Sequence, residues 1–266
     1  MSARLRKPWV FLALQRILAS LDRVLPHNRE IAVQDAAASR ERHMLGFFVD
    51  AGGKRRFDRF HLLAHGDRWD GEILRLTPGR SDAVPIAVTG RVNGAELELD
   101  LDRRDRRPAE ALRVRAETPD IDAGYIGTLD MQQPGDVRTR TAYVLEEAPA
   151  VRLDPSPTHG WGTVAVAPLA RGAEVLPIRG PFSAVQTPYS FRTSDGRHVE
   201  PTGYGHFVNH ACEPSCEIVY RPDGRPVLVA RRDLPAGTEI TFDYTATEGK
   251  LANSFACLCP ADAHKI

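Results

Sequence analysis

Eight consecutive residues, Asn209-His210-Ala211-Cys212-Glu213-Pro214-Ser215-Cys216, bring together a carboxamide, an imidazole and two thiols. The apolar pair Phe207-Val208 precedes them, which anchors the polar cluster at the edge of a core. Two more thiols stand close to the end, in Phe255-Ala256-Cys257-Leu258-Cys259. Four cysteines in a chain of 266 residues do not make a disulfide framework. Their CxC spacing and late position fit reduced, metal-binding thiols. Two further stretches frame the cluster. Gly160-Trp161-Gly162-Thr163-Val164-Ala165 lies upstream, and Glu239-Ile240-Thr241-Phe242-Asp243-Tyr244 lies between the cluster and the CxC pair.

Taken in order over roughly residues 150 to 266, these four stretches resemble the SET-domain family of protein lysine methyltransferases. In that family a GxG turn opens the domain and an NHxCxP segment sits mid-way. A strand ending in an FDY-like triplet follows, and a CxC post-SET tail closes the domain. The resemblance implies a fold of short strands in small sheets with a pseudoknot. It also implies methyl transfer from S-adenosyl-L-methionine to a lysine side chain of a protein. A SET module that binds a protein or a small ligand without turnover is the alternative.

By the same resemblance, Gly160, Trp161, Gly162, Asn209, His210, Tyr244 and Phe255 contact the cofactor. Gly160 and Gly162 lack a Cβ and permit close backbone approach. Tyr244 matches the tyrosine beside the methyl group and is the expected catalytic residue. A lysine ammonium, pKa ~10.4 in water, attacks only after losing a proton, and a narrow apolar channel lowers that pKa. Asp243 and Glu239 are read as hydrogen-bond anchors, and Tyr189 and Tyr204 as further channel candidates.

The family tail supplies three zinc ligands and the NHxC cysteine the fourth. Here that implies a structural Zn2+ on Cys212, Cys257, Cys259 and His264, a four-coordinate Cys3His set. Cys216 in place of His264 is a competing arrangement, and so is a metal-free tail. Three positions depart from the family pattern: Ile178-Arg179-Gly180 replaces an aromatic-x-Gly, His206 stands where arginine is common, and Ser215 where asparagine is usual.

The elements that position these residues are mainly β with a few helices. Residues 1–43 form a helical segment: Val10, Leu14, Ile17, Leu18, Leu21 and Leu25 recur at helical spacing behind Pro8, and Pro26 ends the run. Residues 44–148 read as an antiparallel, barrel-like domain of short strands, with a hairpin expected at Asn93-Gly94. The prolines at 149, 155 and 157 mark a linker over 146–157. The resemblance implies a SET domain over residues 149–254 and a zinc tail over 255–266. His61 and His65, four apart in a strand, are not expected to form a zinc pair.

The balance of 35 basic and 35 acidic residues gives no general pull on nucleic acid. The apolar run after Arg4, Arg6 and Lys7 breaks at Gln15-Arg16, and nothing approaches the ~18 apolar residues of a membrane span. A cytoplasmic protein acting on a protein partner is expected; its oligomeric state is not legible.

Overall fold

The computed structural model describes residues 40–50, 52–76, 85–93, 96–102, 110–115, 125–133, 137–248 and 250–259. The expected N-terminal helix and His264 lie outside them.

The first half is a closed barrel of eight strands: β1 (Arg40–Val49), β2 (Arg55–His65), β3 (Arg68–Leu76), β4 (Ile86–Asn93), β5 (Glu96–Asp102), β6 (Glu110–Arg115), β7 (Tyr125–Gln133) and β8 (Val137–Glu147). Each strand pairs antiparallel with the next, and β1 closes on β8 with Phe47 opposite Val144. The hairpin at the expected Asn93-Gly94 turn closes at Asn93↔Glu96.

Side chains alternate across a strand. Met44, Phe48, Phe60, Leu62, Ile73 and Tyr143 pack in one core. Leu45, Phe47, Phe57, Leu74 and Leu76 belong to the other, shared with the C-terminal half. The run Met44 to Val49 is apolar on both faces because both faces are covered. Asp58 is buried in the barrel, where Arg75 Nε donates to its Oδ1 at 2.9 Å and the Tyr143 hydroxyl to its Oδ2 at 2.9 Å. A side chain at Gly46 would collide with Tyr143.

The second half consists of four small sheets. β9 (Val151–Ser156) pairs with β10 (Gly160–Ala165). β11 (Glu174–Pro177) is joined by two later strands, β16 (Cys216–Tyr220) and β17 (Pro226–Ala230), in the order β11-β17-β16. β12 (Phe182–Ser183), β13 (Phe191–Arg192) and β14 (His198–Val199) form the third sheet, with β14 central. β15 (Asn209–His210) runs parallel to β18 (Thr241–Phe242). The helical residues among those described are two 3-10 turns, Tyr204–Phe207 and Tyr244–Ala246.

The proline-rich stretch differs from the expected linker. β8 runs to Glu147, residues 149 and 150 turn, and β9 begins at Val151. Pro155 is tolerated because β9 belongs to a two-stranded sheet and has a free edge that needs no N–H donor. The two halves therefore meet with almost no intervening chain.

Candidate functional site

Gly160 opens β10 at φ 78°, a backbone conformation that favours glycine, and a Cβ there would meet nothing within 4 Å. Gly162 is different: a Cβ would lie 2.4 Å from Glu239 Oε1. The room at Gly162 is thus filled by the Glu239 carboxylate, while the side beyond Gly160 stays open. Glu239 is the knot of this corner. Its Oε1 accepts from Asn209 Nδ2 at 2.7 Å and its Oε2 from the Ser156 hydroxyl at 3.1 Å. Asn209 Nδ2 also donates to the Trp161 carbonyl at 3.0 Å. The Asn209 amide nitrogen therefore ties the GxG turn to the strand end, and Glu239 is the anchor its position implied.

Tyr244 follows β18 at the start of a 3-10 turn that Asp243 caps, its side chain accepting from the Thr245 N–H at 2.9 Å. The Tyr244 hydroxyl donates to the Val208 carbonyl at 2.8 Å. Burial pushes its pKa up, with the Glu239 carboxylate adding to the effect. The phenol therefore stays protonated, and with its proton committed to Val208 its lone pairs remain to accept. A cavity of about 180 Å³ lies against this ring, lined also by Tyr189, His206, Val208, Glu248 and Phe255. Phe255 meets Tyr244 edge-on, ring centres 5.8 Å apart. Tyr189 lines the cavity and is 50% exposed, whereas Tyr204 is 1% exposed in the core and is no part of the lining.

His210 is buried between the two sites. Its Nδ1 accepts the Tyr244 N–H at 3.3 Å, and its Nε2 stands 3.4 Å from Cys212 Sγ. With Nδ1 accepting, the proton of the neutral ring sits on Nε2 and points at the sulfur. His210 thus couples Cys212 to the Tyr244 backbone. The cysteines converge: Cys212 Sγ is 3.7 Å from Cys257 Sγ, the Cys212 N–H points at Cys259 Sγ at 3.4 Å, and the Cys259 N–H at Cys257 Sγ at 3.3 Å. Two thiolates bound about 2.3 Å from one zinc at a tetrahedral angle stand about 3.8 Å apart. A disulfide would need about 2.05 Å. Backbone N–H groups aimed at sulfur also suit thiolate charge. The donor set fits zinc. Cys216 lies in the core on β16, away from this cluster, which removes it as a substitute ligand.

Several residues of the site have no role assigned from the sequence, where Ser215 and His206 stand only as departures from the family pattern. Ser215 Oγ accepts the Thr241 N–H at 2.9 Å and donates to the Glu239 carbonyl at 2.9 Å, bridging the cysteine loop to β18. Glu248 accepts from the Arg192 N–H and from Gln186 Nε2, both at 2.8 Å, on the cavity wall. His206 is stacked between Tyr189 and the barrel residue Phe57. Only the alternation of β2, which places Phe57 on its outer face, could have hinted at the last. A larger groove of about 690 Å³ at the seam of β1, β2 and β9 holds none of the candidate site residues. Within it, Glu41 pairs with both His43 and His61. His65 pairs instead with Asp70, so His61 and His65 do not converge.

A family model described as SET domain matches residues 187–245. A histone-lysine N-methyltransferase, H3 lysine-4 specific, of Yarrowia lipolytica is 29% identical over 136 residues, 43% of this chain and 12% of that protein. A probable histone-lysine N-methyltransferase of Caenorhabditis elegans is 41% identical over 64 residues, 22% of this chain and 25% of its own length. The histone-lysine N-methyltransferase ATXR7 of Arabidopsis thaliana is 30% identical over 115 residues, 35% of this chain and 8% of that protein. The chain thus covers a quarter or less of each of these relatives. With the matched residues spanning the cavity wall from Thr187 to Tyr244, the site lies in a SET domain similar to those of the histone-lysine N-methyltransferases above.

Proposed function

We propose that this chain transfers the methyl group of S-adenosylmethionine to a lysine side chain of a protein. The observation that carries the reading is the Tyr244 phenol, oriented by the Val208 carbonyl at the wall of a narrow cavity lined also by Tyr189, His206 and Phe255. The cofactor, when bound, supplies an electrophilic methyl group on a sulfonium. The lone pair of the neutral lysine nitrogen would form the new C–N bond while the C–S bond breaks and its electron pair stays on sulfur, leaving S-adenosylhomocysteine. The methylammonium so formed returns to the neutral amine by giving a proton to water.

The protein's task is to hold nitrogen and methyl carbon on one axis, and positioning of this kind can supply a large part of the rate. Tyr189, Tyr244 and Phe255 form walls that disfavour a charged amine. The protonated Tyr244 is no base; its oxygen accepts from the amine and orients it. Cys212, Cys257 and Cys259 would hold a structural zinc, with His264 as fourth ligand and His210 donating to Cys212. That closure would fix Phe255 against His210, whose ring centre lies 5.7 Å away. Four cysteines with no disulfide among them suit the reducing cytoplasm.

The test has three parts. The purified protein should bind S-adenosylhomocysteine in a calorimetric titration and contain about one zinc per chain. With labelled S-adenosylmethionine it should label lysine in an arrayed peptide library that includes the histone H3 N-terminus, the substrate class printed in the names of its relatives. Tyr244→Phe, which takes the donor from the Val208 carbonyl, should lower stability by about 1 kcal/mol, leave the protein folded, and lose turnover by roughly a hundredfold or more. Absence of cofactor binding by the folded protein would overturn the reading.

A further inference from the structure

Strand β2 presents successive residues to opposite sides. Asp58, Phe60 and Leu62 are buried among the barrel's own residues. At the alternate positions, Arg59 reaches one side of the site described above, and Phe57 and Arg55 reach the other. Arg59 lies with its guanidinium 5.6 Å from the centre of the Trp161 ring and donates to the Leu153 carbonyl at 3.2 Å. Trp161 is the middle residue of the GxG turn, and its carbonyl receives the Asn209 amide. Phe57 stacks on His206 at 4.7 Å between ring centres and meets Phe207 edge-on at 4.8 Å. The His206 ring stacks on Tyr189 at 4.2 Å. Arg55 lies 5.8 Å from the Tyr189 ring and pairs with Glu200, which accepts from the Thr187 hydroxyl at 2.6 Å. Thr187, Tyr189 and His206 all line the cavity that holds Tyr244.

We propose that the outer face of β2 is a built-in part of the methyl-transfer site, with Arg59 positioning the cofactor side through Trp161 and with Phe57 and Arg55 positioning the amine-acceptor side through His206 and Tyr189. This rests on the methyl-transfer reading and deepens it: the barrel helps to select the acceptor lysine. Phe57 and Arg59 are held by ladders on both sides and Arg55 by the β1 ladder, so the three positions do not move independently. Both walls of the site are therefore referred to one rigid element. The acceptor side also has a chemical preference. His206 Nδ1 is buried without a hydrogen-bond partner among the described residues. Burial, helped by the Arg55 charge, pushes the imidazole pKa down to about 3, so the ring is neutral. A neutral nitrogen beside a tyrosine face suits an amine that can still donate an N–H.

Four variants of the full chain test the inference: Arg59→Ala, Arg55→Ala, Phe57→Ala and Phe57→Leu, the last keeping apolar bulk without the stack. Thr89→Ala, on the exposed side of β4, is the control. Arg59→Ala should weaken S-adenosylhomocysteine binding roughly tenfold while the acceptor KM stays within about twofold. Phe57→Leu and Arg55→Ala should do the reverse, raising the KM for the best library peptide roughly tenfold at saturating cofactor. If Phe57→Ala does not fold, Phe57→Leu and Arg55→Ala carry that arm. Variants that match the control in both readouts would overturn the inference, and so would variants that lose both readouts in step with melting temperature. A wild type that binds no S-adenosylhomocysteine would instead sink the methyl-transfer reading on which it rests.

Discussion

The two halves of this chain hold themselves together by different means. In the barrel every strand pairs with its sequence neighbour over six to ten residues, and the ladder closes on itself. Backbone donors and acceptors are satisfied by the ladder, and the interior carries one described polar cluster, around Asp58. In the SET half the strands run from two to six residues and pair across long stretches of chain, as Asn209 does with Thr241. Ladders this short leave many backbone groups to side chains: Thr163 to the Tyr204 carbonyl, Asn209 to the Trp161 carbonyl, Ser215 to Glu239 and Thr241. The barrel is a scaffold with its polar dependence concentrated in one place. The SET half spreads that dependence over the residues that shape its site, so changes that disturb the site also cost stability.

The sharpest way to break this contrast is to attack the barrel where its polarity is concentrated. Asp58 is 1% exposed, and Arg75 and Tyr143 both donate to it. Removing the carboxylate takes from Arg75 and Tyr143 the charged acceptor they share in the barrel, a change that costs about 3 kcal/mol. Asp58→Ala should therefore lower stability by about that amount in a urea titration, and Asp58→Asn by less because it keeps an acceptor. A loss below about 1 kcal/mol for Asp58→Ala would mean that the barrel does not depend on the Asp58 carboxylate.

The next effect probes the SET half. Ser215→Ala keeps the backbone and removes a hydroxyl that serves the Thr241 N–H and the Glu239 carbonyl at once. Stranding two buried backbone groups costs about 2–3 kcal/mol, whereas a barrel-surface hydroxyl such as that of Thr89 should cost less than about 0.5 kcal/mol. Because Glu239 holds Asn209, cofactor affinity should fall together with stability. Melting curves with and without S-adenosylhomocysteine read both.

The contrast also governs what could be read from sequence. Period-two alternation and turn residues made the barrel legible strand by strand, because its pairings are local. Strands of two residues carry no period, so β12, β14 and β15 had no signature of their own. The site was legible as spaced motifs, since Asn209, Glu239 and Tyr244 must converge whatever the chain does between them. The roles inside it were less so. That Gly162 makes room for Glu239, and that Asn209 spends its amide on Trp161, depends on contacts 30 to 77 residues apart. The stretch around Pro149 and Pro155 read as a linker because proline breaks ladders, but an edge strand has no ladder to break on its free side.

The smallest effect lies where the two halves meet, and its sign is opposite. Glu146 ends the barrel at β8 yet turns its carboxylate into the SET half, where Oε2 accepts the Tyr204 N–H at 3.0 Å against Gly203. Arg179, 3.9 Å away, is its nearest cation. Burial outweighs both and pushes the carboxyl up to about 7, from an ordinary 4.5. Between those two values the folded chain binds more protons at this site than the unfolded chain, so its contribution to stability falls as pH rises from about 4.5 to about 7. Above that window the fold carries the full cost of a buried charge. Glu146→Gln keeps an acceptor for Tyr204 and carries no charge at any pH. It should stabilise the protein by about 1–2 kcal/mol at pH 8, a part of the shift being returned by the lost attraction to Arg179, and should change little at pH 4.5. His206 works in the other direction: its imidazole is held down at about 3, so the unfolded chain binds the extra proton and stability falls as pH drops below about 6.5. Glu146→Gln should therefore flatten the alkaline side of the stability profile and leave the acid side intact. Urea midpoints at half-unit steps from pH 4 to 8 would show this, and a variant whose profile parallels the wild type would place the Glu146 charge in water rather than at the seam between the halves.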